Sequence, residues 1–132
     1  MHNHRASARR PRDALVRPKP ATERGIALVT QRKFPAAKTT LARALVANPA
    51  DAAAHAYLGL ALLNHDRDTA QAATHLQEAV RLEPGRASYH HWLGAVYSQQ
   101  AVEGGLLSGP GLAKKARAEY EKAVELDSGD LE

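Results

Sequence analysis

Three stretches of this chain share one spacing of small, large and small residues: Ala37-x3-Leu41-x2-Ala44-x4-Pro49, Ala72-x3-Leu76-x2-Ala79-x4-Pro84 and Ala116-x3-Tyr120-x2-Ala123-x4-Ser128. A second element precedes each of them, Gly25-x2-Leu28, Leu58-Gly59-x2-Leu62 and Leu93-Gly94-x2-Tyr97, with the glycines 34 and then 35 residues apart. A period of that length with two motifs per unit limits the possible folds severely. No single unit can enclose a core, so each must bury its apolar face against a neighbour. Within the motifs the apolar residues return at three and four positions, which is helical spacing, and no run alternates as a half-buried strand would. The expected fold class is therefore all-α, built of stacked antiparallel helix pairs.

The breaks between periodic segments place six helices at about 20–32, 35–47, 51–64, 69–82, 87–102 and 111–127. Pro35 suits a first helical turn, Asp51 and Asp68 are candidate N-caps, and Asp68 with Gln71 has the spacing of a capping box. Alanine is abundant and aromatic residues are few (Phe34, Tyr57, Tyr89, Trp92, Tyr97 and Tyr120). That composition favours helices that approach one another closely.

The joint pattern resembles the tetratricopeptide repeat, which runs from an aromatic residue through Leu-Gly and Tyr to a small, a large, a small residue and a final proline. The match covers residues 18–130 as three repeats, 18–51, 52–86 and 87–130. It departs from the pattern at Arg24, where leucine is usual, at Ala21, His55 and His90, which stand at the tryptophan position, and at Ser128, which replaces the last proline. The resemblance implies a right-handed α-solenoid, with structural positions at Gly25, Ala37, Leu41, Ala44, Pro49, Leu58, Gly59, Ala72, Leu76, Ala79, Pro84, Leu93, Gly94, Tyr97, Ala116, Tyr120 and Ala123. It also implies a concave groove lined by the first helix of each repeat. Carried over residue by residue, that lining is Lys19, Thr22, Ile26, Val29 and Thr30, then Ala53, Ala56, Leu60, Leu63 and Asn64, then Ser88, His91, Ala95, Ser98 and Gln99. The implied function is a non-catalytic scaffold holding a peptide or protein segment. The basic set with which some family members clamp a C-terminal carboxylate is missing from the matching positions.

In the third repeat, 22 residues separate Gly94 from Ala116, against 12 from Gly25 to Ala37 and 13 from Gly59 to Ala72. The extra segment, about 100–111, is expected to be an elaborated loop between the two helices, with Leu106 and Leu107 tucked onto the array. Its glycines invite a phosphate-loop reading, but Pro110 stands where the lysine is required and a helix precedes it instead of a strand.

The formal net charge of +4 belongs to the start of the chain. Residues 1–20 carry six basic side chains and one acid, a net of +5, while the other 112 residues carry 12 basic and 13 acidic groups, a net of −1. Three prolines and little apolar surface make 1–20 an expected disordered arm ahead of a repeat domain at 21–130. An alternative function would have this arm attach the repeats to nucleic acid or an anionic surface, although it lacks aromatic residues for base stacking. Nucleic acid is therefore the disfavoured partner, and a protein or peptide the favoured one.

No stretch approaches the roughly 20 apolar residues needed to span a bilayer, and the arm lacks the apolar core of a secretory signal, so a soluble, cytoplasmic protein is expected. With no cysteine and no His pair at ligand spacing among the seven histidines, no metal or other cofactor is expected. Glu119, Glu121 and Glu125 read as a solvated face supported by Lys115–Glu119 and Arg117–Glu121 pairs. No serine sits in a nucleophile elbow, and no enzyme is read from the sequence. Apolar surface left open on the last helix is expected to mean either self-association or a missing continuation of the chain.

Overall fold

The computed structural model describes residues 20–128, and every regular element in that span is helical. The expected disordered arm therefore lies outside the described residues, except for Pro20, which opens the first helix. We label the helices α1 (Pro20–Thr30), α2 (Phe34–Ala47), α3 (Ala52–Ala61) and α4 (Thr69–Leu82). A longer run, Ala87–Ser128, is broken at Gly105 into two arms, α5 (87–104) and α6 (106–128). Contacts follow chain order: α1 packs on α2 and α3, α2 on α3, α3 on α4, and α4 on the α5–α6 run.

Local chemistry sets the ends. Asp51 caps α3 by accepting from the Ala54 amide at 3.1 Å, and the same carboxylate accepts from the Thr22 hydroxyl at 2.6 Å, tying the start of α3 to α1. Asp68 caps α4 through the Gln71 amide at 3.1 Å, and Gln71 returns its side-chain amide to the Asp68 carboxylate at 3.0 Å. This is a capping box closed through side chains. α3 does not stop at 64 as its periodicity suggests. It widens into a π turn, Leu62–Asp66, which ends on Arg67 in the left-handed conformation (φ 56°). The widened turn brings His65 onto the ring of Phe34, centroids 5.8 Å apart, and Asp66 to within 2.5 Å of Lys38 Nζ.

The core is the repeat pattern made solid. Ala37, Leu41, Ala72, Leu76 and Ala79 are fully buried, and Ala44, Leu58, Leu93, Tyr97, Ala116 and Ala123 are buried beside them. The three glycines face the large residue of the partner helix in every repeat: Gly25 against Leu41, Gly59 against Leu76 and Gly94 against Tyr120. A β-carbon on Gly59 would stand 2.8 Å from Leu76 Cγ, so these helix pairs close to a distance that only glycine permits.

The segment 100–111 departs from expectation. It forms no elaborated loop, because α5 and α6 each continue for extra turns and reverse at one residue. Gly105 has φ 62° and ψ −147°, a region essentially reserved for glycine. Helical extension satisfies the backbone internally, which a long irregular loop would not. Gly109 then packs against the carbonyl of Ala101, where a β-carbon would lie 2.8 Å from the oxygen. Gln100 and Glu103, on the added turns, bond to the carbonyl and hydroxyl of Thr69 at 3.3 and 2.9 Å. Leu106 and Leu107 do not tuck down. They stand 96% and 98% exposed at the tip, since the reversal carries them past the end of the array.

Candidate interaction surface

The residues carried over to the groove fall into columns that the structure treats differently. One column, three residues before each repeat glycine, is Thr22, Ala56 and His91; another, four residues after it, is Val29, Leu63 and Ser98. Thr22 and Ala56 are fully buried and Val29 and Leu63 nearly so, whereas His91 is exposed and Ser98 half-buried. α1 packs on α3, where Thr22 bonds Asp51, and Tyr57 of α3 meets the Trp92 ring of α5. Thr22, Val29, Ala56 and Leu63 therefore have no surface to offer a partner, which corrects the lining read from the sequence. Lys19 lies outside the described residues.

Two other columns stay accessible. Ile26, Leu60 and Ala95, each directly after a repeat glycine, are half-buried and form an apolar ladder across α1, α3 and α5. Thr30, Asn64 and Gln99 follow four positions on. Thr30 and Asn64 are exposed and donate back to the carbonyls of Ile26 and Leu60, at 3.0 and 2.9 Å. Ala53 is half-buried and Ser88 exposed.

A pronounced hollow lies elsewhere. Its volume is about 720 Å³, and it lies between α5 and α6, with Ser98, Ala101, Ala113, Ala116, Tyr120 and Val124 in its wall and Arg117, Glu121 and Glu125 beside them. A second hollow of about 520 Å³ continues this face past Ser88, His91, Trp92, Ala123 and Asp127. Three carried-over residues, Ser88, His91 and Ser98, thus line the α5–α6 face. His91 rests against the Tyr120 ring, centroids 5.3 Å apart, and Ser98 Oγ lies 3.4 Å from the Tyr120 hydroxyl.

Charged groups pair both along a helix and between helices. Arg117 meets Glu121 at 3.2 Å as its spacing suggests. The expected Lys115–Glu119 pair is not made: Lys115 sits over the Tyr97 ring, 5.7 Å from its centroid, and Glu119 turns inward to His90 at 2.7 Å. Glu119 is therefore part of the helix packing and not of a solvated face. Its role was missed in the sequence because its partner is 29 residues away. Burial above all, with the Glu83 carboxylate next, pushes the Tyr89 phenol up to about 12, and burial followed by His55 holds His75 below the ordinary histidine value. Among the described residues no group of three or more His, Asp or Glu side chains is arranged to hold a metal, and no helix is long and apolar enough to cross a membrane.

Stacked helix pairs with recurring Gly-to-large contacts define a helical-repeat solenoid, a class of scaffold proteins. A family model of the tetratricopeptide repeat matches residues 22–87, and the chain belongs to the tetratricopeptide repeat family. It is 32% identical over 112 residues to tetratricopeptide repeat protein 37 of Xenopus laevis, a match covering 82% of this chain and 7% of that protein. Among solved structures it is similar to MamA AMB-1, at 29% identity and a TM-score of 0.67 over 89% of this chain and 63% of that one. It is likewise similar to the MamA RS-1 ArsTM double mutant, at 26% identity and a TM-score of 0.68 over 83% of this chain and 56% of that one. The chain thus spans less than two thirds of the length of each of these relatives. Proteins of this family are in general non-enzymatic modules that bind protein partners.

Proposed function

We propose that this chain is a scaffold that holds a peptide or protein segment along α1, α3 and α5, with Ile26, Leu60 and Ala95 as apolar contacts and Asn64 and Gln99 as neutral hydrogen-bonding groups. The observation that supports this most is the half-buried apolar side chain at one register position in all three repeats, left open while the neighbouring columns are buried in the first two. Among the described residues these contact positions carry no charged side chain, so an extended or helical segment with apolar anchors suits them better than a highly charged one, whose desolvation nothing would offset. Screening a random peptide library against the full chain, then repeating the titration with Leu60→Glu, tests the reading. Binders that tolerate Leu60→Glu would argue against it.

A second reading rests on the α5–α6 face. His91 and Ser98 stand at columns that are buried in the first two repeats, and Val124 beside them is 66% exposed. We infer that this face associates with a second copy of the chain. Sedimentation across a concentration series tests it, and a monomer at every concentration would reject it.

A further inference from the structure

The last two repeats each place a histidine six residues after the proline that closes the preceding unit, His55 after Pro49 and His90 after Pro84. Each ring turns Nε2 to that proline's carbonyl oxygen, at 2.8 and 2.7 Å. Nδ1 is thereby aimed at the second helix of the repeat. It meets there the residue just before the large apolar position, which is His75 before Leu76 in one repeat and Glu119 before Tyr120 in the other. His55 Nδ1 lies 3.0 Å from His75 Nδ1, and His90 Nδ1 lies 2.7 Å from Glu119 Oε1.

These two joints share a geometry and differ in what a proton does to them. Both nitrogens of His90 face acceptors, so a doubly protonated ring is satisfied on both sides and pairs with a carboxylate. His55 must carry its hydrogen on Nε2 for Pro49, which leaves Nδ1 to accept the hydrogen on His75 Nδ1. Protonating His55 as well sets two N–H groups against each other, and two imidazolium charges in contact repel. We propose that the His55–His75 contact is an acid-sensitive joint, closed while the two rings share one hydrogen between their Nδ1 atoms and loosened by proton uptake, so that α3 and α4 part in acid while the His90–Glu119 joint of the third repeat holds.

The surrounding charges do not cancel this response. On α4, Glu78 lies close enough to interact with His55, but its carboxylate is engaged by Arg81 at 2.9 Å. From α2 and the π turn, Lys38 and Asp66 share a hollow with His75 and pair with each other. Asp51, on the helix of His55, is occupied by Thr22 and the Ala54 amide. The depressed value of His75 acts in the same direction: the unfolded chain takes up a proton near the ordinary 6.5 while the folded chain resists it, so stability present above that pH is lost as pH falls below it. Leu60 and Asn64 ride on α3 or its π turn, yet the joint stands whether or not a partner binds them.

The test is thermal unfolding of the full chain from about pH 7.5 to about pH 5, the range in which histidine changes charge. The melting temperature of the wild type is expected to drop by several degrees across that range. His75→Glu copies the third repeat's pairing into the second and should abolish or reverse the drop, while Glu119→His should steepen it. Parallel profiles for the wild type and His75→Glu would overturn the proposal. If either variant fails to fold, amide hydrogen exchange of the wild type decides: faster opening confined to α3 and α4 in acid is expected, and an equal change in α5 and α6 would contradict it.

Discussion

Gly94 lies flat against the ring of Tyr120, so closely that a β-carbon would stand 2.9 Å from Cε1. The same relationship recurs at Gly59 with Leu76, and it makes the repeat register a statement about stability. Gly94→Leu should overpack the α5–α6 contact and cost about 1–3 kcal/mol. Ala79→Arg, at a fully buried site, should cost more, because a charge is buried without a partner. Circular dichroism melts measure both, and unchanged midpoints would refute the register.

The single-residue reversal at Gly105 gives a second prediction. Gly105→Ala should destabilise by about 1–3 kcal/mol, since alanine rarely adopts that backbone conformation. Gly109→Ala should also destabilise, because its β-carbon meets the Ala101 carbonyl. Gly111→Ala is the control: open space surrounds it within α6, and the substitution should be neutral or stabilise by up to about 1 kcal/mol. Chemical denaturation of the three variants separates strain from a general intolerance of side chains.

Tyr89 provides an alkaline prediction. Its phenol is held near 12 in the folded chain against an ordinary 10, so folding keeps it protonated while the unfolded chain releases the proton. Stability is complete below pH 10 and should fall by about 2–3 kcal/mol as pH rises toward 12, at 1.36 kcal/mol for each pH unit. Tyr89→Phe should flatten that decline in denaturation measured at alkaline pH.

Helix pairing, repeat period and both aspartate caps were legible in the sequence, because the caps depend on residues one turn apart and the pairing on a pattern that returns after 34 and 35 residues. The third repeat's extra residues were misread for a physical reason. Glycines and a proline signal a loop on average, but Gly105 alone takes the reversal and Gly109 works as a packing residue. The lining was half legible. Of the residues in that family register, Leu60 is half-buried and Asn64 exposed, whereas Thr22, Val29, Ala56 and Leu63 are buried, which spacing alone could not say. The histidine joints were readable only as flat side chains, although the six-residue offset from Pro49 and Pro84 was a usable sign of a shared carbonyl contact.

The charge division predicts that removing residues 1–20 leaves helicity and melting temperature nearly unchanged, since the composition of that segment, six basic side chains and three prolines, offers little apolar surface to bury. Loss of cooperative unfolding in the fragment 21–132 would show that the boundary is misplaced.

Titration of one library-selected peptide against three proteins, the full chain, Leu60→Glu and the 21–132 fragment, at low and physiological salt, tests the scaffold reading most directly. The ladder predicts at least a tenfold loss for Leu60→Glu, about 1.4 kcal/mol or more, with little salt dependence and full binding by the fragment. Binding that survives Leu60→Glu, weakens steeply with salt and disappears with residues 1–20 would contradict it and make the basic arm the functional element.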